Sequence, residues 1–227
     1  MGAKKILVAG AGSGIGESIF KKLQLSSGVE AIGASRRGNG LSEGIRVGRN
    51  HFCDFSDERS IFEFCKLLKS SWTRLDAIYF TFGDGLFSTL EDLDPESWKK
   101  HLFLNLTAPF LLTRELGPLL QKGSFLCYLS STAGRQGFPE SSAYCASKHG
   151  LAGFAKALRE EWKNREIRVS VVYAGAIDTP IWDGREGFDR KDMIPVEDVA
   201  EFLAGLSDQK PSFNLDEIVL LPKKGIL

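Results

Sequence analysis

The apolar run Ile6-Leu7-Val8-Ala9 passes directly into Gly10-Ala11-Gly12-Ser13-Gly14-Ile15-Gly16. The residues that follow, Gly14–Leu25, have helical period, with Ile15, Ile19, Phe20 and Leu23 on one face. A strand that empties into a glycine-rich turn and then a helix has few architectures open to it. Glycines let the backbone turn tightly and approach a bound group closely, and the helix beginning there aims free N–H groups at an anion such as a pyrophosphate. The spacing is G-x-x-x-G-x-G, anchored at Gly10, Gly14 and Gly16; it is not G-x-G-x-x-G, whose third glycine would fall at Ile15. A plain strand-to-helix turn would use the same glycines. The position between the first strand and the first helix favours cofactor binding, with Ser13 and Ile15 in the same turn.

Short apolar runs then alternate with longer stretches of helical period. Strands are expected at Ile6–Ala9, Val29–Ala34, His51–Cys53, Ala77–Phe82, Ser124–Leu129, Ile167–Tyr173 and Glu217–Leu221. Helices are expected over Gly14–Leu25, about Asp57 to Lys69, Ser142–Lys163 and Glu197–Leu206. Asp94-Pro95-Glu96 is a helix start, with a capping Asp, Pro at the first position and an acid in the first turn. Its helix is expected to run to about Gln121, kinked or split by Pro109 and Gly117-Pro118. The order predicts an α/β fold: one doubly wound Rossmann-type domain over residues 1–227, a parallel sheet of about seven strands with helices on both faces. No internal repeat or linker interrupts it.

Composition narrows the function classes. Hydrophobic residues make up 43% and charged residues 26% of the 227, with a formal net charge of zero. No long-range field favours nucleic acid or an anionic membrane, and Arg36-Arg37 is too small a basic cluster to bind nucleic acid. Cys53, Cys65, Cys127 and Cys145 show neither Cys-x-x-Cys nor metal-ligand spacing, so buried free thiols, a reducing (cytoplasmic) compartment and no metal are expected. The N-terminal run is too short for a targeting segment and reads as the first strand. No apolar stretch is long enough to span a bilayer.

The second strand ends in Ala34-Ser35-Arg36-Arg37, with no acid near Arg36. In a dinucleotide fold an acid at this place accepts the ribose hydroxyls of NAD, whereas an arginine favours the 2′-phosphate of NADP. An arginine–phosphate bond of roughly 1.5–3 kcal/mol gives a preference on the order of 10- to 100-fold for NADP(H). A solvated surface pair is the alternative reading of Arg36 and Arg37.

Tyr144 and Lys148 stand at i and i+4 of a helix, so both share a face, and the strand ending at Leu129 delivers Ser130-Ser131 to the ligand-binding edge of the sheet. A free phenol, with a pKa of about 10, needs about 3–4 kcal/mol of help to act as a base near neutral pH. An ammonium about 4 Å away supplies about 4 kcal/mol at an effective dielectric of about 20. In the reducing direction Tyr144 is expected to give its proton to a carbonyl oxygen held by Ser131, with Lys148 on the nicotinamide ribose.

Together these segments resemble the short-chain dehydrogenase/reductase family over nearly the whole chain. Ser141-Ser142-Ala143-Tyr144-Cys145-Ala146-Ser147-Lys148, continuing through Gly150-Leu151 and Phe154, is close to the family's catalytic segment, and Gly10–Gly16 is similar to its cofactor turn, with Ala9 where threonine is usual. The resemblance implies catalytic roles for Ser131, Tyr144, Lys148 and Asn105, the last acting through a water beside the lysine. It implies cofactor contacts from Asp54 (adenine), Ile177 (the carboxamide) and Thr179 (near the pyrophosphate). Two segments depart from the pattern. Phe80-Thr81-Phe82-Gly83 replaces Asn-Asn-Ala-Gly and keeps only Gly83, and Ala174-Gly175 replaces Pro-Gly.

A substrate loop is expected at about 179–195, containing Ile181, Trp182, Phe188 and Met193. The resemblance implies a small-molecule carbonyl or alcohol substrate and a homodimer or homotetramer. The alternative to a carbonyl reductase or alcohol dehydrogenase is an NADP(H)-binding regulatory protein with little or no turnover. His51, His101 and His149 form no constellation in the sequence and are given no role.

Overall fold

The computed structural model describes residues 2–40, 44–185, 187–208 and 212–226. Its centre is a seven-stranded sheet in the order β3-β2-β1-β4-β5-β6-β7 with every pairing parallel. The strands are β1 (Lys4–Ala9), β2 (Val29–Ser35), β3 (Asn50–Phe52), β4 (Leu75–Phe80), β5 (Leu120–Ser131), β6 (Arg168–Ala174) and β7 (Glu217–Leu220). The helices are α1 (Gly14–Leu25), α2 (Glu58–Ser71), α3 (Pro95–Leu102), α4 (Ala108–Leu116), α5 (Ser142–Glu161) and α6 (Val196–Gly205).

Neighbouring residues of one strand explain the continuous apolar runs. Leu7 and Ala9 of β1 pack into a core shared with α2, α4 and α5, through residues such as Phe64, Leu112 and Leu151. Ile6 and Val8 pack into a second core with Ile19 and Phe20 of α1 and Leu203 of α6. Side chains alternate across a strand, so a sheet covered on both faces needs apolar residues at both parities. The sheet's order reverses between β1 and β4, which opens a crevice beyond their carboxyl ends. Among the described residues no helix is long and apolar enough to cross a membrane.

Three boundaries differ from expectation. The helix from Asp94 does not reach Gln121. It passes through a π-helical turn at Phe103–Thr107, resumes as α4 to Leu116, and ends in a 3-10 turn at Gly117–Leu119. Pro109 has no N–H for the Asn105 carbonyl four residues earlier and its ring crowds that carbonyl, so the irregularity falls one turn before the proline. β5 accordingly starts at Leu120, paired with Leu75, and shifts register before Phe125. The Ser124 hydroxyl secures the shift, donating to the Leu75 carbonyl at 2.7 Å and accepting the Gln121 N–H at 2.9 Å. β4 ends at Phe80 rather than Phe82, where Thr81 turns back and its hydroxyl donates to the Ala9 carbonyl at 2.8 Å.

Candidate active site

A cleft of about 840 Å³ lies over the crevice, large enough for a dinucleotide end and a small ligand. One end is walled by Ser13, Gly14, Ile15 and Arg36, the other by Ser131, Tyr144 and Lys148, and Gly83, Ile177 and Thr179 line the space between. The sequence separates these residues by more than a hundred positions. The sheet joins them because β1, β2, β4, β5 and β6 all end on the same side.

The glycine turn is built for close approach. A β-carbon at Gly16 would lie 2.3 Å from the Gly10 carbonyl oxygen and 2.3 Å from the Thr81 hydroxyl, so the first turn of α1 is seated on the ends of β1 and β4. Ser13 is the N-cap of α1 but makes no capping bond, which leaves the helix's first N–H groups free for an anion. Arg36 is exposed at this end and, among the described residues, makes no ion pair. Arg37 instead turns back and donates to the Gly12 carbonyl at 3.0 Å. The Ser35 hydroxyl accepts from the Arg37 N–H at 3.2 Å and from Asn50 Nδ2 at 2.8 Å. These two residues brace the turn. Asp54 stands away from the cleft lining, and its Oδ1 accepts the Ser56 N–H at 2.9 Å and hydroxyl at 2.6 Å. The replaced segment has its own packing: Phe82 stacks on Phe55, ring centroids 3.9 Å apart. A free helix start, a glycine cradle and an exposed arginine at its edge fit a nicotinamide dinucleotide.

At the other end Tyr144 is near the start of α5, Lys148 lies one turn on, and Ser131 ends β5. Lys148 Nζ is buried, 5.7 Å from the Tyr144 ring centre, and donates to the Leu129 carbonyl at 3.1 Å. Burial pushes its pKa down to about 8. The phenol is raised above its usual value by burial, against which a hydrogen bond with Ser131 and the charge of Arg185 pull. This direction is opposite to the lowering expected from a neighbouring lysine. The ammonium is itself desolvated and committed to a carbonyl, so it does not overcome the burial of the ring. The Ser131 hydroxyl also accepts the Ala133 N–H at 3.2 Å.

Asn105 occupies the π-helical turn behind this group, outside the cleft lining. Its Oδ1 accepts the Asp84 N–H at 3.1 Å, and its Nδ2 donates to the Asp84 carbonyl at 3.2 Å and the His101 carbonyl at 3.1 Å. The amide thus fixes the chain leaving β4 and holds Gly83 against the lysine.

Several neighbours carry no signal in the residue pattern. His101 is buried, its ring nitrogens 3.2 Å from Asn105 Nδ2, with Nε2 3.3 Å from the Ser147 hydroxyl. Burial lowers its pKa, Asp84 opposes that and Lys148 adds to it. Its spacing four residues before Asn105 could have flagged it, since both share a helix face. Phe87 lies 5.4 Å from the Tyr144 ring, and Arg185 lies 3.9 Å over Phe87. The loop carrying Arg185 is pinched at its base by the Ile177–Ile194 bridge and tied by Arg190 to Asp178 and Asp183. Trp182 packs edge-on to Phe188 at 4.6 Å. Among the described residues no group of three or more His, Cys, Asp or Glu could hold a metal, and the four cysteines are free.

The short chain dehydrogenase family model matches residues 4–187. D-threitol dehydrogenase of Mycolicibacterium smegmatis is 28% identical over 85% of this chain and 78% of its own. An alcohol dehydrogenase from Thermococcus sibiricus, complexed with 5-hydroxy-NADP, superimposes with a TM-score of 0.83 at 21% identity, covering 96% of each chain. 4-Hydroxyisoleucine dehydrogenase, as a mutant with NADH and succinate, gives 0.83 at 22% identity over 99% of this chain and 100% of that one. The match over most of the sequence, on a sheet that gathers serine, tyrosine and lysine at one rim, establishes that the chain belongs to the short-chain dehydrogenase family of oxidoreductases.

Proposed function

We propose that the protein is an NADP(H)-dependent carbonyl reductase or alcohol dehydrogenase in which Tyr144 is the general acid and base. The observation that carries this reading is the shared cleft: Ser131, Tyr144 and Lys148 line the same space as the Ser13–Ile15 turn and Arg36. Bound NADPH supplies the hydride, or NADP accepts it in the reverse direction. Gly10, Gly14 and Gly16 with the α1 N-terminus hold the pyrophosphate, Arg36 selects the 2′-phosphate, and Ser35 and Arg37 brace the turn beneath it. Asp54, beyond the cleft lining, would reach the adenine, Thr179 lies beside Gly14 near the pyrophosphate, and Ile177 and Gly83 flank the nicotinamide end.

In reduction, Tyr144 Oη transfers its proton to the substrate's carbonyl oxygen, and the Ser131 hydroxyl donates a hydrogen bond to that oxygen. A phenol raised by burial stays protonated at neutral pH, which suits the acid's role in this direction. Lys148 Nζ holds the ribose hydroxyls and offsets the charge left on the phenolate. Asn105 holds the Gly83–Asp84 chain, and a water beside the lysine completes the path by which the tyrosine regains its proton. The loop at about 179–195 closes over the substrate of a single-domain enzyme. The exposed Phe110 of α4, packed edge-on against Phe154 of α5, supports a homodimer or homotetramer built on that face. A cytoplasmic location agrees with four unpaired cysteines.

A panel of ketones, aldehydes and secondary alcohols, followed by NADPH absorbance with NADH as the parallel cofactor, tests the reading. Turnover with NADPH preferred over NADH supports it. Tight NADPH binding with no turnover across the panel would favour the regulatory alternative.

A further inference from the structure

Arg185 places a cation at the substrate end of the cleft, where the charge of Asp84 acts on it without an ion-pair contact among the described residues. Its guanidinium lies 3.9 Å over the Phe87 ring and 5.3 Å from the Trp182 ring, and Phe87 in turn lies 5.4 Å from the Tyr144 ring. Among the described residues it makes no ion pair and no side-chain hydrogen bond, although its loop is rich in carboxylates. Among the described acids there, Asp178 and Asp183 hold Arg190, Asp189 accepts the Lys191 N–H at 3.0 Å, and Asp192 holds Lys224 at 2.7 Å. Aromatic faces fix a guanidinium in a plane without using its N–H donors, so the fork stays available for a ligand.

We propose that Arg185 anchors the substrate, and that the substrate is a carbonyl or alcohol bearing one carboxylate a few bonds from the carbon that reacts beside Tyr144. This rests on the proposed role of Tyr144. In reduction the carbonyl carbon takes a hydride from NADPH and its oxygen takes the Tyr144 proton, while the carboxylate is unchanged. A carboxylate matches the two-pronged guanidinium with two parallel N–H···O bonds. A phosphate dianion fits poorly, because Asp84 and Glu140 line the same cleft and would repel the second charge. Phe138, Pro139 and Phe188 add apolar surface to the cleft wall, suited to a short hydrocarbon spacer.

The test compares pyruvate, acetoacetate and levulinate with their methyl esters, using NADPH turnover and calorimetric titration of the NADP-saturated protein. At least one acid is expected to exceed its ester about 10- to 100-fold in kcat/KM, as one charge-assisted bidentate contact would give. Arg185→Gln is expected to bring that ratio to within about three-fold, with Arg185→Lys intermediate. If Arg185 only latches the loop, the substitution lowers acid and ester alike and leaves their ratio standing, which overturns the proposal while the reductase reading survives. Acids that bind through Arg185 without turnover would support the anchor and defeat the reductase reading. Acids that neither bind nor react overturn the anchor.

Discussion

Gly83 lies against Asn105 so closely that a β-carbon on the glycine would sit 2.5 Å from the amide oxygen and 3.4 Å from Lys148 Nζ. Its φ of 153° adds backbone strain for any other residue. Of the segment in which the family pattern is otherwise replaced, this is the residue retained. Gly83→Ala is expected to destabilise the protein by about 1–3 kcal/mol and to lower turnover more than NADPH binding, because the lysine and the Asp84 clamp both have to move. Chemical denaturation together with steady-state kinetics checks it. A variant with unchanged kcat would show that this contact does not position the lysine.

Arg36 and Arg37 are adjacent but are placed for different work. Arg36 lines the cleft, while Arg37 is tied to the Gly12 carbonyl. Arg36→Ala is expected to weaken NADPH binding about 10- to 100-fold and NADH binding less than three-fold. Fluorescence titration of both cofactors measures the difference. Equal loss for the two would remove Arg36 from the 2′-phosphate.

Lys148 is buried, and its folded pKa of about 8 lies below the ordinary lysine value of 10.5. The folded state therefore releases its proton before the unfolded chain does, and stability gains as pH rises from about 8 through 10.5. Near neutral pH the buried ammonium costs on the order of 3 kcal/mol. Lys148→Met is expected to raise Tm by a few degrees at neutral pH while abolishing turnover, and the gain is expected to shrink as pH approaches 10.5. Scanning calorimetry across that range measures it. A Tm advantage independent of pH would mean that the ammonium is not the source of the strain.

The fold was legible because each strand announced itself as an apolar run and each helix as a periodic face, and the glycine turn fixed their order in space. Boundaries failed where one residue overrides a period. Pro109 acts on the carbonyl of Asn105 rather than at its own position, and Ser124 carries a register shift that no propensity marks. The rim of the sheet follows from strand ends, so Ser131, Tyr144 and Lys148 could be named from sequence. Arg185 could not, because it meets Phe87 only through a loop closing over the cleft, and His101 left only its spacing from Asn105, since its contact with Ser147, 46 positions away, is made by the fold. The raised pKa of the tyrosine departs from the lowering that a neighbouring lysine predicts for a related reason. A neighbouring charge is visible as i and i+4, whereas desolvation of both partners is a property of the packed site.

Single-turnover oxidation of NADPH by Tyr144→Phe, set beside its NADPH affinity, isolates the proton transfer. The phenyl ring keeps the packing against Phe87 and removes one oxygen. The rate on any substrate of the native protein is expected to fall by about 10²- to 10⁴-fold while NADPH binds within about three-fold of native. A variant that reduces the same substrate at the native rate would show that the proton comes from another group.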